Sequence, residues 1–299
     1  MTARFGAWVR LPVRAPFRLD LTVDALRRLA GNAVDLVAGD GTYYRAVRDA
    51  RGAAVLAIRA GGSTWIEMRA SGADAERWLP LAEKMLGAAV DLRPWYVRSA
   101  KIDWLHSLAT QFAGVKPPRY PTLWEACAHA VVFQQISIHA GAAIMRRLVE
   151  LLAEEVKVGD LCCRVFPDPE RWLSAGESEL RAAGLSRNKL AHLRAVATAF
   201  GDGTIREGRL EALPTPQAAQ ALAGVRGIGP WSAAVALLRG LGRLDVFPLR
   251  DSGVARSVAL VAGEGVDLDA VLETLGPARG MLYFHLLLSR IRRPQPAPP

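Results

Sequence analysis

Cysteine is scarce in this chain. Three residues, Cys127, Cys162 and Cys163, occur in 299. That is too few for a disulfide framework and one short of a four-cysteine metal or cluster site. A reduced, cytoplasmic setting is the expectation. Lysine is scarce as well: five of the 38 basic residues are lysine and the rest are arginine. The five histidines show no HExxH-type spacing, so no metal is expected. His139 and His285 are read as packing or surface residues. No apolar run approaches the ~18 residues that a membrane span needs. The opening MTARFGAWVR has no apolar h-region, so no secretory signal is visible.

What is present is a globular balance, 51% hydrophobic and 22% charged, with a net charge of +9. At about 150 residues per domain, the length suggests two domains. Arginine forks onto phosphate at two points, which favours an anionic partner. A biased genome composition gives the same counts. The charge is also spread: residues 1–100 carry 15 basic and 10 acidic groups, and residues 101–299 carry 23 and 19. Charge therefore permits nucleic acid without identifying it.

The periodicity changes near residue 100. Residues 5–13 are strand-like, and Thr22 precedes a helix, DALRRLA, that ends at Gly31. Short apolar runs at 34–38, 42–48 and 53–59, and the alternating STWIEMR at 63–69, are separated by GDG, DARG and AGG turns. ADAERWLPLAEKML then reads as a helix closed by Gly87. An antiparallel sheet with helices on one face fits this order. Beyond residue 100 almost nothing alternates with period two. Thr122 and Glu125 are spaced for a capping box, and Ser137 and Ser186 for helix N-caps. The predicted fold class is α+β, with a mixed N-terminal domain at 1–100, an all-helical region at 101–293 and a flexible tail at 294–299.

The most informative stretch is TPQAAQALAGVRGIGPWSAAVALLRG, residues 215–240. One helix runs from Pro216 to about Gly224, and Pro230 opens the next in its first turn. Between them, Gly227 and Gly229 allow positive φ and put no Cβ in a ligand's way. Exposed amides at a helix start suit a phosphate, and such a grip reads no bases. A plain helix–turn–helix connection has the same pattern. Downstream, DVFPLRDSGVARSVALVAG sets Asp251 just before another helix. Aspartate is a common N-cap, and backbone donors and the helix dipole keep it ionised. An anion beside a phosphate grip repels DNA, but it suits positive charge developing on a sugar.

LAGVRGIGPWSAAVALLRG followed by DVFPLRD resembles the signature of the helix-hairpin-helix DNA glycosylases. Together with VVFQQISIHAGAAI, GLSRNKLAHLRAVA and the strand-rich N-terminus, it most resembles the bacterial 3-methyladenine DNA glycosylase II family over roughly residues 10–290. The resemblance implies an N-terminal domain like one TATA-binding-protein repeat, followed by two helical subdomains with the active site in the cleft between them. It implies a monofunctional glycosylase of base excision repair, which flips an alkylated purine of the 3-methyladenine or 7-methylguanine type out of duplex DNA and hydrolyses its N-glycosidic bond. By this resemblance Asp251 is catalytic, and Gly227 and Gly229 hold a phosphate. Trp231 stands where strand-cutting relatives carry a lysine, so no lyase activity is expected. Trp231 and Gln134 fall at the base pocket, and Gln135 falls on the wedge that fills the gap left by the flipped nucleotide. Ser137, Arg226 and Arg250 are further DNA-contact candidates. Ala278 and Val235 replace pocket aromatics of the family, leaving Phe133, Trp124 or Tyr283 to supply the pocket. The expected partner is duplex DNA containing damaged bases, with no membrane, and a monomer is expected. No cofactor is implied, and no iron–sulfur cluster. A glycosylase for oxidised, deaminated or mismatched bases, a non-catalytic DNA-structure binder and a helical scaffold remain open as alternatives.

Overall fold

The computed structural model describes residues 4–72, 74–249 and 251–292. The tail expected at 294–299 and the candidate Arg250 lie outside the described residues. The N-terminal part is a five-stranded antiparallel sheet made of β1 (Val9–Pro12), β2 (Asp35–Val37), β3 (Tyr43–Asp49), β4 (Gly52–Ala60) and β5 (Trp65–Ala70). Its strand order is β1–β5–β4–β3–β2. In β5 the alternation seen in the sequence is real: Ile66, Met68 and Ala70 point inward. Two helices, α1 (Leu19–Arg27) and α2 (Leu79–Leu86), cover one face, where Leu26 and Met85 pack with Leu56 and Ile58 of β4.

The other face is covered too, which corrects the expectation of unbroken helix after residue 100. Strands β6 (Glu155–Val158) and β7 (Leu161–Arg164) pair antiparallel around a Gly159–Asp160 turn. Their Val158 and Cys163 pack with Val55 and Ala46 of the first sheet. This is why β4 reads as a continuous apolar run rather than alternating: it is buried on both sides.

Helix α1 departs from the sequence reading at both ends. It begins at Leu19, so Thr22 lies inside it, with Oγ1 donating to the Arg18 carbonyl at 2.8 Å. It stops at Arg27, short of Gly31. The guanidinium of Arg239, wholly buried, donates to the carbonyls of Ala25 and Leu26 at 2.8 Å each. A tertiary partner thus satisfies the orphan acceptors of the helix end, a task usually left to a following glycine.

The helical part runs α3 (Arg93–Ser99), α4 (Asp103–Gln111), α5 (Leu123–Phe133), α6 (Ile138–Leu152), α7 (Pro169–Ser174), α8 (Glu177–Ala182), α9 (Arg187–Gly201), α10 (Glu207–Ala212), α11 (Thr215–Ala223), α12 (Pro230–Ala236), α13 (Ser252–Ala262), α14 (Leu268–Leu275) and α15 (Gly280–Ile291). Ser137 and Ser186 cap α6 and α9 as expected. Thr122 caps α5 by accepting from Glu125 N at 3.1 Å. The reciprocal half of the box is missing, because the Glu125 side chain turns into the interior.

There Glu125 meets Arg45. Arg45 Nη2 lies 2.5 Å from Glu125 Oε2, and Nη1 lies 2.8 Å from Asp35 Oδ1. All three side chains are 1% exposed or less. Tyr43 also donates to Asp35 at 2.6 Å. Burial pushes the Glu125 carboxyl up, and the facing guanidinium opposes that shift. This cluster locks the sheet to α5, whose far end enters the cleft described next.

Two apolar cores flank that cleft. One gathers α5, α6, α9, α11 and α12 around Trp172, Leu193 and Leu222, and the other gathers α4, α13, α14 and α15 around Trp95, Leu275 and Phe284. A π-helical turn at Leu237–Leu241 continues α12, sending Leu237 into the first core and Leu238 into the second.

Candidate active site

A cleft of about 1120 Å³ opens between the two cores, walled by the α5–α6 connection, the α11–α12 hairpin, the start of α13 and the face of α15. The hairpin is built as the glycines suggest, with one correction. Gly227 takes φ +97, whereas Gly229 has φ −83 and an extended backbone. A Cβ on Gly227 would sit 2.4 Å from the Cβ of His192 on α9, but a Cβ on Gly229 would meet nothing within 4 Å. Positive φ costs a non-glycine residue about 1–3 kcal/mol before any clash. Gly227→Ala is therefore expected to lower the thermal unfolding midpoint by about 5 °C or more, at ~2–4 °C per kcal/mol. Gly229→Ala is expected to leave it nearly unchanged. Equal midpoints for the two variants would contradict this picture of the hairpin.

Asp251 sits across from the hairpin, half-buried at the N-cap of α13. Its two oxygens have different partners. Oδ1 accepts from Gly253 N at 2.7 Å and Val254 N at 3.2 Å. Oδ2 accepts from the indole Nε1 of Trp231 at 3.1 Å. The carboxylate is thus clamped in orientation by α13 on one side and α12 on the other. Gly253 keeps the approach narrow: a Cβ there would lie 2.3 Å from Arg290 Nη1, so the Arg290 guanidinium lies over the start of α13.

Residues 128–267 match the family of HhH-GPD superfamily base excision DNA repair proteins. The match spans 140 of the 299 residues. Among curated relatives, a DNA-3-methyladenine glycosylase of Bacillus subtilis is 26% identical over 171 residues, 57% of this chain and 56% of that protein. A DNA-3-methyladenine glycosylase of Saccharomyces cerevisiae is 30% identical over 156 residues, 48% of each chain. The chain spans about half the length of each of these relatives. The solved 3-methyladenine DNA glycosylase of Archaeoglobus fulgidus superposes with a TM-score of 0.79 at 25% identity, covering 94% of this chain and 98% of that one.

Around the cleft the other predicted residues are distributed unevenly. Gln134 does not project freely into the cleft. Its Nε2 donates to Gly227 O at 2.8 Å and Ser232 Oγ at 2.7 Å, stapling the end of α5 to the hairpin. Gln135 is exposed on the next residue with φ +58, beside Ile136 and the cap Ser137 on the cleft rim. Arg226 is exposed on the hairpin, and Phe133 and Tyr283 both line the cleft.

Trp124 does not reach the cleft. It is 5% exposed, donates to Pro167 O at 2.8 Å and packs edge-to-face against Trp172 and Phe200. Positions 124 and 133 are nine residues apart on one helix, about two and a half turns at ~3.6 residues per turn, so they face opposite ways. Ala278 and Val235 are buried and do not line the cleft. His285 is wholly buried against Trp95, and burial lowers its pKa to about 4; His139 is exposed. Among the described residues no cluster of three potential metal ligands occurs, and no helix is long and apolar enough to cross a membrane.

Three arginines that line the cleft escaped the sequence reading, Arg28, Arg256 and Arg290. Arg28 follows α1 with φ +64 and ψ −54. It reaches the cleft from the sheet domain, with its guanidinium carbon 4.6 Å from the centre of the Phe133 ring. No signal in the chain around residue 28 marks it. The partners that place it are Phe133 and Tyr283, far away in sequence.

Proposed function

We propose that this cleft hydrolyses the N-glycosidic bond of an alkylated purine in duplex DNA. The observation that carries the reading is the two-sided clamp on Asp251, set beside a backbone hairpin at the mouth of an open cleft. The target bond is inaccessible within the base stack, so the nucleotide is everted into the cleft first. The amides of the Gly227–Gly229 turn hold the sugar–phosphate backbone, with Arg226 and Ser137 in support. Gln135, thrust out on its positive-φ backbone, fills the vacated stack.

In the reaction, Asp251 faces the anomeric carbon. Alkylation at a ring nitrogen makes the purine cationic and a good leaving group. What remains is the positive charge growing on the sugar, and a fixed carboxylate stabilises it without reorganisation. Water then adds at the anomeric carbon, leaving an abasic site. The substrate carries its own charge, so the reaction needs neither a metal nor another cofactor. Trp231 carries no amine for a Schiff base, so the enzyme is monofunctional. It acts as a monomer in the cytoplasm. A gel assay on a single-lesion duplex tests this: the strand stays intact after base release and breaks only on alkaline heating. Strand cutting by the enzyme alone contradicts the reading.

Trp231 positions the carboxylate rather than reacting. Hydrogen bonds to charged groups contribute about 1.5–3 kcal/mol. Trp231→Phe keeps an aromatic ring but removes the donor to Oδ2. It is expected to slow single-turnover base release about tenfold or more, with duplex affinity within twofold of wild type. Unchanged release would show that the indole N–H has no part in orienting Asp251.

A further inference from the structure

Gly253 is the second residue of α13, and glycine is a poor helix former. What its absent side chain makes room for comes from α15. A Cβ at position 253 would lie 2.3 Å from Arg290 Nη1 and 2.9 Å from Asp251 Oδ1. The Arg290 guanidinium and the Asp251 carboxylate therefore border the same small space. A guanidinium beside a carboxylate ordinarily forks onto it in a two-point ion pair. Here it does not. Asp251 Oδ1 is taken by the Gly253 and Val254 N–H groups and Oδ2 by the Trp231 indole. Arg290, partly buried in the cleft wall, makes no hydrogen bond or ion pair among the described residues. Its charge thus stands free on the Oδ1 side of Asp251, while the hairpin approaches through Trp231 on the Oδ2 side. Asp251 is also the only acid among the described residues that line the cleft, against Arg28, Arg226, Arg256 and Arg290.

We propose that Arg290 is a second phosphate-binding residue, which holds the DNA backbone on the opposite side of the everted nucleotide from the Gly227–Gly229 hairpin. This rests on the glycosylase reading of the same cleft. A nucleotide swung out of the stack stays attached through one phosphate on each side. With its sugar facing Asp251, one phosphate lies toward the hairpin and the other toward α13 and α15. The hairpin amides take the first. Arg290 takes the second, and its planar fork matches two phosphate oxygens. The pairing also serves the chemistry. Left bare, a positive charge beside Asp251 opposes the cation that the carboxylate stabilises. A phosphate seated on Arg290 cancels that charge, so the field of Asp251 acts on the sugar undiminished.

The test is a binding scan on a duplex that carries a tetrahydrofuran abasic analogue, so it does not depend on base release. Phosphates near the analogue are replaced one at a time by neutral methylphosphonates. In the wild-type protein, two positions on opposite sides of the analogue are each expected to weaken binding about fivefold or more. Arg290→Gln is expected to weaken binding to the unmodified duplex by a similar factor. It should also lower the slope of log Kd against log salt by about one. Its decisive signature is the scan: the variant loses its sensitivity at one of the two positions and keeps it at the other. Arg290→Met is expected to behave alike, and thermal unfolding confirms that each variant is folded. A variant that binds within twofold of wild type overturns the proposal. So does one that binds weakly yet stays sensitive at both positions, which assigns Arg290 a structural role. A wild-type scan with sensitive positions on one side only overturns it whether or not the variants fold. A wild-type protein that gives the expected scan but releases no methylated purine keeps the Arg290 contact and defeats the glycosylase reading instead.

Discussion

An Asp251→Asn protein is expected to bind methylated duplex DNA at least as tightly as wild type, yet to release base at least a thousandfold more slowly. Asparagine is as good an N-cap as aspartate, so the bonds from Gly253 and Val254 to Oδ1 can persist. The other end of the side chain then becomes an amide NH₂ facing the Trp231 indole N–H, donor against donor. On the proposed mechanism, the negative charge is then missing where the sugar cation forms. A thousandfold is ~4 kcal/mol of lost transition-state stabilisation, at ~1.4 kcal/mol per tenfold. Binding should not suffer, because removing an anion next to a phosphate grip relieves repulsion. Paired single-turnover and equilibrium binding measurements separate the two effects. Release within tenfold of wild type would remove Asp251 from the catalytic role.

Arg45→Met is expected to lower the thermal unfolding midpoint by roughly 10 °C. Removing one partner from a buried ion pair costs about 3–5 kcal/mol, because the remaining charge stays buried and unpaired. Here two carboxylates would be stranded, Asp35 and Glu125, both 1% exposed or less. Conversion at ~2–4 °C per kcal/mol gives the stated shift. Adding Asp35→Asn and Glu125→Gln should recover part of it, since neutral amides tolerate the apolar surroundings better than unpaired anions. The cluster joins the sheet to the helix that ends in Phe133 and Gln134, so its loss should also loosen the cleft wall. Circular dichroism melts of the single and triple variants measure this. A shift below 3 °C in the single variant would mean the cluster contributes little to holding the two parts together.

The parts of the site readable in sequence are those whose signal is local. Asp251 announces itself because an N-cap lies directly before its helix. The hairpin does so because a Gly–x–Gly–Pro run both ends one helix and starts the next. What could not be read depends on contacts across the fold. Arg28 has no local pattern, and its place at the cleft emerges only when α1 ends early under Arg239 and the chain turns toward Phe133 and Tyr283. The β6–β7 hairpin was missed although Val156 and Val158 alternate with polar neighbours, because four-residue strands between helices carry too short a period to stand out. Trp124 lies opposite Phe133 by helix geometry alone, so only one of the two can face the cleft. The spacing of Glu125 from Thr122 suits a capping partner, but the buried Arg45 outcompetes the exposed backbone amide for its carboxylate.

The central claim is that this cleft breaks the bond between a damaged purine and its sugar. Chromatography of free bases after incubating the wild-type protein with methylated duplex DNA tests it most directly. The account predicts free methylated purines, in amounts that match the alkali-labile sites left in the DNA. A chromatogram showing no purine above that of DNA incubated alone, under conditions where the protein binds the duplex, would contradict it.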